Sequence, residues 1–127
     1  MGLYNFQSRF VPMVESGTKT HTIRAMRRFP DVPGKTLHLY TGLRQRGARL
    51  LKRARCTAVQ AITITDRQRV AVDGVWLSAD ECDALARSDG FSDFAGMMRF
   101  WHGRLPFFGQ IVHWSGDASA LMAWRCM

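Results

Sequence analysis

One short segment carries residue types that could do chemistry together, Gly17-Thr18-Lys19-Thr20-His21-Thr22-Ile23-Arg24. A turn glycine leads into a lysine expected to be exposed. The β-prone residues after it place Thr20, Thr22 and Arg24 on one strand face and His21 and Ile23 on the other. An amine beside a hydroxyl is the pairing that activates a Ser or Thr nucleophile where burial or nearby charge lowers the lysine pKa. Lys19, Thr22 and Arg24 equally form a contact set for an anion and a base. The plainest alternative is a surface turn followed by an ordinary strand, and spacing alone leaves all three open.

Other reactive side chains give weaker signals. His21, His38, His102 and His113 lack metal-ligand spacing, so no metal and no other cofactor is expected. His21 and His38 read as polar strand-face residues, although a metal-free nuclease would pair Lys19 with either for proton transfer. Cys56, Cys82 and Cys126 are far apart and form no CxxC, which argues against a disulfide framework and for reduced thiols in a cytoplasmic protein. The opening MGLYNFQSRF lacks the charged-then-apolar order of a secretory signal, and no run approaches the roughly 18 apolar residues of a membrane span. No membrane association is expected.

Charge is unevenly divided. Residues 1–64 hold 12 Lys and Arg against Glu15 and Asp31, a net +10, whereas residues 65–127 hold six basic and eight acidic residues, a net −2. Arg44, Arg46, Arg49, Lys52, Arg53 and Arg55 fall within twelve positions with no acid among them. Like charges this dense repel unless a polyanion is present, and nucleic acid is the commonest such partner. The nucleic-acid contacts expected from this half are Arg24, Arg27, Arg28, Tyr40, Arg44, Arg46, Arg49, Lys52 and Arg53. Tyr40 is the first candidate for stacking a base and Trp114 the second, whereas Trp101, at helical spacing with Met97 and Met98, reads as core.

The elements that must position these residues follow from periodicity and punctuation. A strand over Leu3 to Phe6 precedes a short helix over Arg9 to Ser16, with Ser8 as its cap, Phe10 and Val14 on its buried face and Gly17 as its left-handed stop. Strands are expected over Thr20 to Arg24 and Thr36 to Thr41, then a long strand or pair of strands over Leu50 to Thr65. Asp73-Gly74 between apolar runs signals a two-residue hairpin. Ser78 and Glu81 form a capping box for a helix to about Ser88 with Leu85 inward, ended by Asp89-Gly90. A second helix from about Ser92 to His102 buries Phe94, Met97, Met98 and Trp101, and Phe107 to Trp114 closes the chain as a strand. This order is α+β, and short strands with tight turns favour a small barrel without exposed edges.

With these elements in place, the chain resembles the ASCH family, relatives of the PUA domains. The matching residues are Phe6 and Phe10, Gly17-Thr18-Lys19 leading to Thr22-Ile23-Arg24, and Pro33-Gly34 before Leu37-His38-Leu39-Tyr40. Further along come Ala86-Arg87-Ser88-Asp89-Gly90-Phe91, Phe100-Trp101 and the strand Phe107 to Trp114. The resemblance implies a PUA-like β-barrel of about five to six strands with flanking helices over residues 1–115, with 116–127 as a tail. It also implies a cleft suited to RNA or a modified base. Some members of the family remove the acetyl group from acetylcytidine using Lys, Thr and Glu. Lys19 and Thr22 fit the first two positions, and the acidic position falls on Asp89, shorter by one methylene. That side chain reaches roughly 1 Å less far, a misplacement able to cost about a hundredfold in rate. In such a mechanism Thr22 attacks the amide carbonyl, Lys19 takes its proton and Asp89 orients or recharges the lysine. Asp-Gly at a helix end is also an ordinary stop.

Two functions follow as expectations. The first is binding of single-stranded RNA through the basic half, with a base held in the Lys19 cleft. The second is hydrolysis of a modified nucleoside or RNA, as an amidohydrolase or ribonuclease, at the same cleft.

Overall fold

The computed structural model describes residues 2–43 and 46–114. Arg44 and the tail over residues 116–127 therefore lie outside the described residues. The strands are β1 (Gly2–Phe6), β2 (His21–Ala25), β3 (Thr36–Thr41), β4 (Arg49–Ile64), β5 (Val70–Val72), β6 (Val75–Trp76) and β7 (Phe107–Trp114). A 3-10 turn over Ser8–Phe10 leads into α1 (Val11–Ser16), and α2 (Ala79–Ser88) and α3 (Phe94–Trp101) lie between β6 and β7. The architecture is α+β, as the order of elements predicts.

Strands pair in the order β2-β7-β4-β3-β1, antiparallel except for the parallel β1–β3 pair. The long segment after residue 49 is one strand of 16 residues. Its first half pairs with β3 and its second with β7, and a register irregularity between Cys56 and Ala58 marks the change of partner. An extra residue on one side of a ladder bends the strand and increases its twist, which lets one strand serve two neighbours. The expected hairpin forms at Asp73 (φ 50°) and Gly74 (φ 79°), both left-handed as the tight turn requires. Its short arms raise the strand count to seven, above the five or six expected.

The sheet does not close through its ladders. Among the described residues no pairing joins β1 to β2. Arginine side chains bridge that gap, with Arg24 Nη2 donating to Asn5 O (2.6 Å) and Arg27 Nη2 donating to Leu3 O (2.5 Å). Residues 3 and 5 of a strand point their carbonyls to the same edge. Two guanidiniums thus satisfy acceptors that a paired strand would otherwise take.

The core is formed by Val14 of α1, Leu37, Leu39, Ile62, Ile64, Ile111 and Trp114 of the sheet, and Leu85 and Met97 of the two later helices, all fully buried or nearly so. Cys56 and Cys82 are unpaired thiols within it, and burial pushes both above the usual thiol pKa. Among the described residues no helix is long and apolar enough to cross a membrane.

Two helix starts differ from expectation. Ser8 lies inside the 3-10 turn and makes no capping bond, because Gln7 takes the extended cap position. Helix α3 begins at Phe94, two residues later than expected, since Asp93 takes the cap position and accepts from Gly96 N (2.8 Å). The capping box of Ser78 and Glu81 forms as read.

Gly90 ends the α2 segment with φ +104°. A Cβ there would sit 2.9 Å from Phe10 Cδ1 and 3.0 Å from Met13 Sδ, so both the backbone and the packing of α1 require glycine. Gly90→Ala is expected to lower unfolding stability by about 1–3 kcal/mol. Denaturant midpoints compared with the wild type check this, and an unchanged midpoint refutes it.

Candidate functional site

Gly17 adopts φ +84° after α1, and the amide of Lys19 then donates to Met13 O (2.9 Å), folding the chain back over the helix end. This turn sends the Lys19 side chain inward. Its ammonium donates to Asp89 Oδ1 (2.5 Å) and to the Asp89 carbonyl (2.7 Å), which stands at the end of α2. Lys19 is only 3% exposed, which corrects the expectation of an exposed lysine. The helix end also suits a cation, because the last carbonyls of α2 carry partial negative charge.

The shorter acidic side chain is sufficient here. Asp89 follows the last turn of α2 with helical backbone angles, and Gly90 then turns sharply away. The backbone itself approaches the ammonium, so carbonyl and carboxylate meet it together. Asp89 is thus both a helix stop and the partner of Lys19.

His21 joins the pair from the next strand position but one. Its Nε2 lies 3.1 Å from Asp89 Oδ1, without the alignment of a hydrogen bond, and the residue has no exposed surface. That corrects its reading as a polar strand-face residue. β2 is covered on both faces, with His21, Thr22 and Ile23 all buried. Burial pushes the Lys19 ammonium below its usual pKa, against the pull of Asp89. Burial likewise lowers His21, with Asp89 opposing. Burial disfavours the Asp89 carboxylate, but Lys19 and His21 outweigh it and hold the group below the usual carboxylate range.

Lys19, Thr22 and Asp89 line one cavity of about 410 Å³, together with Arg24, Phe10, Phe91, Phe100, Trp101 and Arg104 among others. Thr22 Oγ1 accepts from Arg24 Nε (2.9 Å), which leaves the hydroxyl proton available to another partner. Phe91 packs against Phe10 and Phe100 with ring centroids 5.6 and 5.4 Å away, and Trp101 lies 4.3 Å from Phe107. The cavity therefore has a charged floor and an aromatic wall, features that suit a flat, polar ring.

The four sequence-identified residues of this region, Lys19, Thr22, Arg24 and Asp89, come together. Arg27, Arg28, Tyr40, Arg46, Arg49, Lys52 and Arg53 do not line the cavity. Arg27 is occupied by β1 and lies over the Tyr4 ring at 3.9 Å, and Arg49 pairs with Glu15 at 2.9 Å. Strand alternation splits the rest: Lys52 is opposite Leu39, half-buried on the core face, while Arg53 is opposite His38 and exposed. Trp114 is 1% exposed and packs edge-on to Phe6, so it is core and cannot stack a base. Trp101 is buried as expected, yet it also borders the cavity.

Sequence reasoning missed the contact of His21 with Asp89 and the place of Arg104 at the cavity. The Arg104 position follows the stop of α3 at Gly103 and carries no local signal. For His21 too the sequence carries no signal, since its neighbours Asp89 and, across the ladder, His113 come from distant segments. The two rings lie 5.6 Å apart. His113 Nε2 is 2.8 Å from Gln60 Oε1, and Gln60 Nε2 donates to Asp73 Oδ2 (3.1 Å). Because an amide oxygen only accepts, His113 carries its proton on Nε2. Among the described residues no group of three or more His, Cys, Asp or Glu converges to hold a metal ion. Comparison of the chain with protein-family models, curated proteins and solved structures found no match.

Burial, reinforced by the nearby His21, lowers His113 from 6.5 to about 4. Above pH 6.5 the ring is neutral whether the chain is folded or not. As the pH falls from 6.5 to about 4 the unfolded chain takes up a proton that the folded state refuses, so stability is lost across that window. His21 acts in the same direction. Urea midpoints measured from pH 8 to pH 4 should fall over this range, with a shallower decline in His113→Gln. Parallel declines in the two proteins would show that His113 does not contribute.

Proposed function

We propose that this protein is an ASCH-like amidohydrolase that removes an acyl group from a modified nucleobase of the acetylcytidine type. The observation that carries this reading is the meeting of two buried charges, Lys19 and Asp89, at the floor of a cavity that Thr22 also lines. A buried ion pair contributes little stability beyond what apolar residues would give. Strongly perturbed ionisable groups placed in a cleft are, by contrast, a recurrent mark of catalytic sites.

In the proposed reaction Thr22 Oγ attacks the acetyl carbonyl carbon. Lys19, whose pKa burial lowers, acts as the free amine and takes the Thr22 proton, while Asp89 holds it in place. The guanidinium of Arg24, already bonded to Thr22 Oγ1, favours the negative charge that develops there. Lys19 returns the proton to the base nitrogen as the C–N bond breaks. Water then attacks the acyl ester on Thr22, releasing acetate and restoring the hydroxyl. The aromatic wall of Phe91 and Phe100 supplies stacking surface for the base.

A second reading, binding of single-stranded RNA with one base held in the cavity, is favoured by the exposed Arg28, Arg46 and Arg53. Unpaired, buried Cys56 and Cys82 suit a reducing, cytoplasmic setting for either activity.

The decisive measurement is acetate release from acetylcytidine by the purified protein, with labelled RNA assayed in parallel. Thr22→Ala and Lys19→Met should each lower kcat by about a hundredfold or more. Thr22→Ala should keep the wild-type melting transition, which separates lost chemistry from lost folding. An absence of acetate release above the blank overturns the proposal, and cleavage of labelled RNA without deacetylation replaces it with a nuclease.

A further inference from the structure

The aromatic wall has two sides. Phe91 and Phe100, which border the Lys19 cavity, also border a second recess of about 390 Å³ lined by Arg9, Ser92, Gly96 and Arg99. Charge surrounds this shared wall. The Arg9 guanidinium lies 4.9 Å from the Phe10 ring centre and 5.0 Å from that of Phe91, while Arg104 lies 5.2 Å from that of Phe100.

A guanidinium held against aromatic rings is ordered at little entropic cost, and its in-plane N–H groups remain free to bind oxygens. Three arginines elsewhere are committed: Arg24 to Thr22 and Asn5, Arg27 to Leu3, and Arg49 to Glu15. Arg9, Arg99 and Arg104 have no carboxylate within 4 Å among the described residues. The nearest acid on the same helix, Asp93, is turned to cap Gly96 N. Two uncommitted guanidiniums and a serine hydroxyl around one recess form an arrangement complementary to phosphate oxygens.

We infer that the Arg9–Arg99 recess is a phosphate subsite, so that the ligand of this protein is a nucleotide or an oligonucleotide rather than a free nucleoside. The inference rests on the reading that the Lys19 cavity takes the base. The Phe91–Phe100 wall then separates base from phosphate. A position for phosphate next to the base cavity also differs from the binding surface that charge density alone suggests, residues 44–55, of which no described residue lines either recess.

Calorimetric titration at low salt with cytidine, cytidine 5′-monophosphate and cytidine 3′-monophosphate tests this. One monophosphate should bind roughly tenfold or more tightly than cytidine, and the ratio should shrink as salt is raised. In an Arg9→Gln/Arg99→Gln double variant that ratio should collapse towards one. Both side chains are exposed, so the variant is expected to fold. Equal affinity for nucleoside and nucleotides in the wild type overturns the subsite and leaves the base cavity standing. A phosphate preference that survives the double variant also overturns it, by placing the phosphate elsewhere. Failure of all three ligands to bind removes the subsite and the base-binding reading together.

Discussion

The contact between Lys19 and Asp89 constrains everything around it. Two full charges leave water in this contact, and each needs compensation that geometry must supply. The ammonium finds a carboxylate and a carbonyl from the same residue, at the end of a helix whose terminal carbonyls favour cations. The carboxylate finds the ammonium and the edge of His21. To bring these groups together, a turn at Gly17 must send Lys19 inward and a turn at Gly90 must take the chain away from Asp89. Seventy positions separate the partners, so the contact also ties α2 to the start of β2. The pair is both a structural joint and the polar floor of the cavity.

A domain of this size has few aromatic residues to divide between core and surface. Here several do both. Phe10, Phe91 and Trp101 are buried on one side and face the cavity on the other. Phe91 and Phe100 go further and form a partition with a recess on each side. Trp114 is spent entirely on packing against Phe6. Burial alone therefore does not separate a core aromatic from one that can meet a ligand, because a wall residue is buried by its own neighbours.

The arginines show the same economy. Arg24 supports β1, bonds Thr22 and lies near the rings of Tyr4 and Phe6. Arg27 repeats the bridging role two carbonyls away. These two residues occupy the seam where strands β1 and β2 face each other unpaired. A cluster that reads as a polyanion surface in one dimension is thus partly structural in three. Arg9, Arg99 and Arg104, without a carboxylate partner among the described residues, come from both halves of the chain, and the excess charge of the first half gives no hint of their meeting.

Much of the fold was determined by the sequence by itself, because local rules act over a few residues. Asp73-Gly74 specifies its hairpin through left-handed backbone preference, Ser78 and Glu81 specify a helix start through reciprocal hydrogen bonds, and Phe107 to Trp114 shows its apolar strand pattern directly. Lys19, Thr22 and Arg24 were legible for a similar reason: they are close in sequence, and Thr22 and Arg24 share β2. Only the tertiary structure decided that Lys19 is buried, that His21 faces Asp89, and that arginine side chains rather than a ladder cross the gap between β1 and β2. Each of these depends on contacts between distant segments, where burial and charge pairing are settled by packing. Neither quantity is encoded in residue type or spacing.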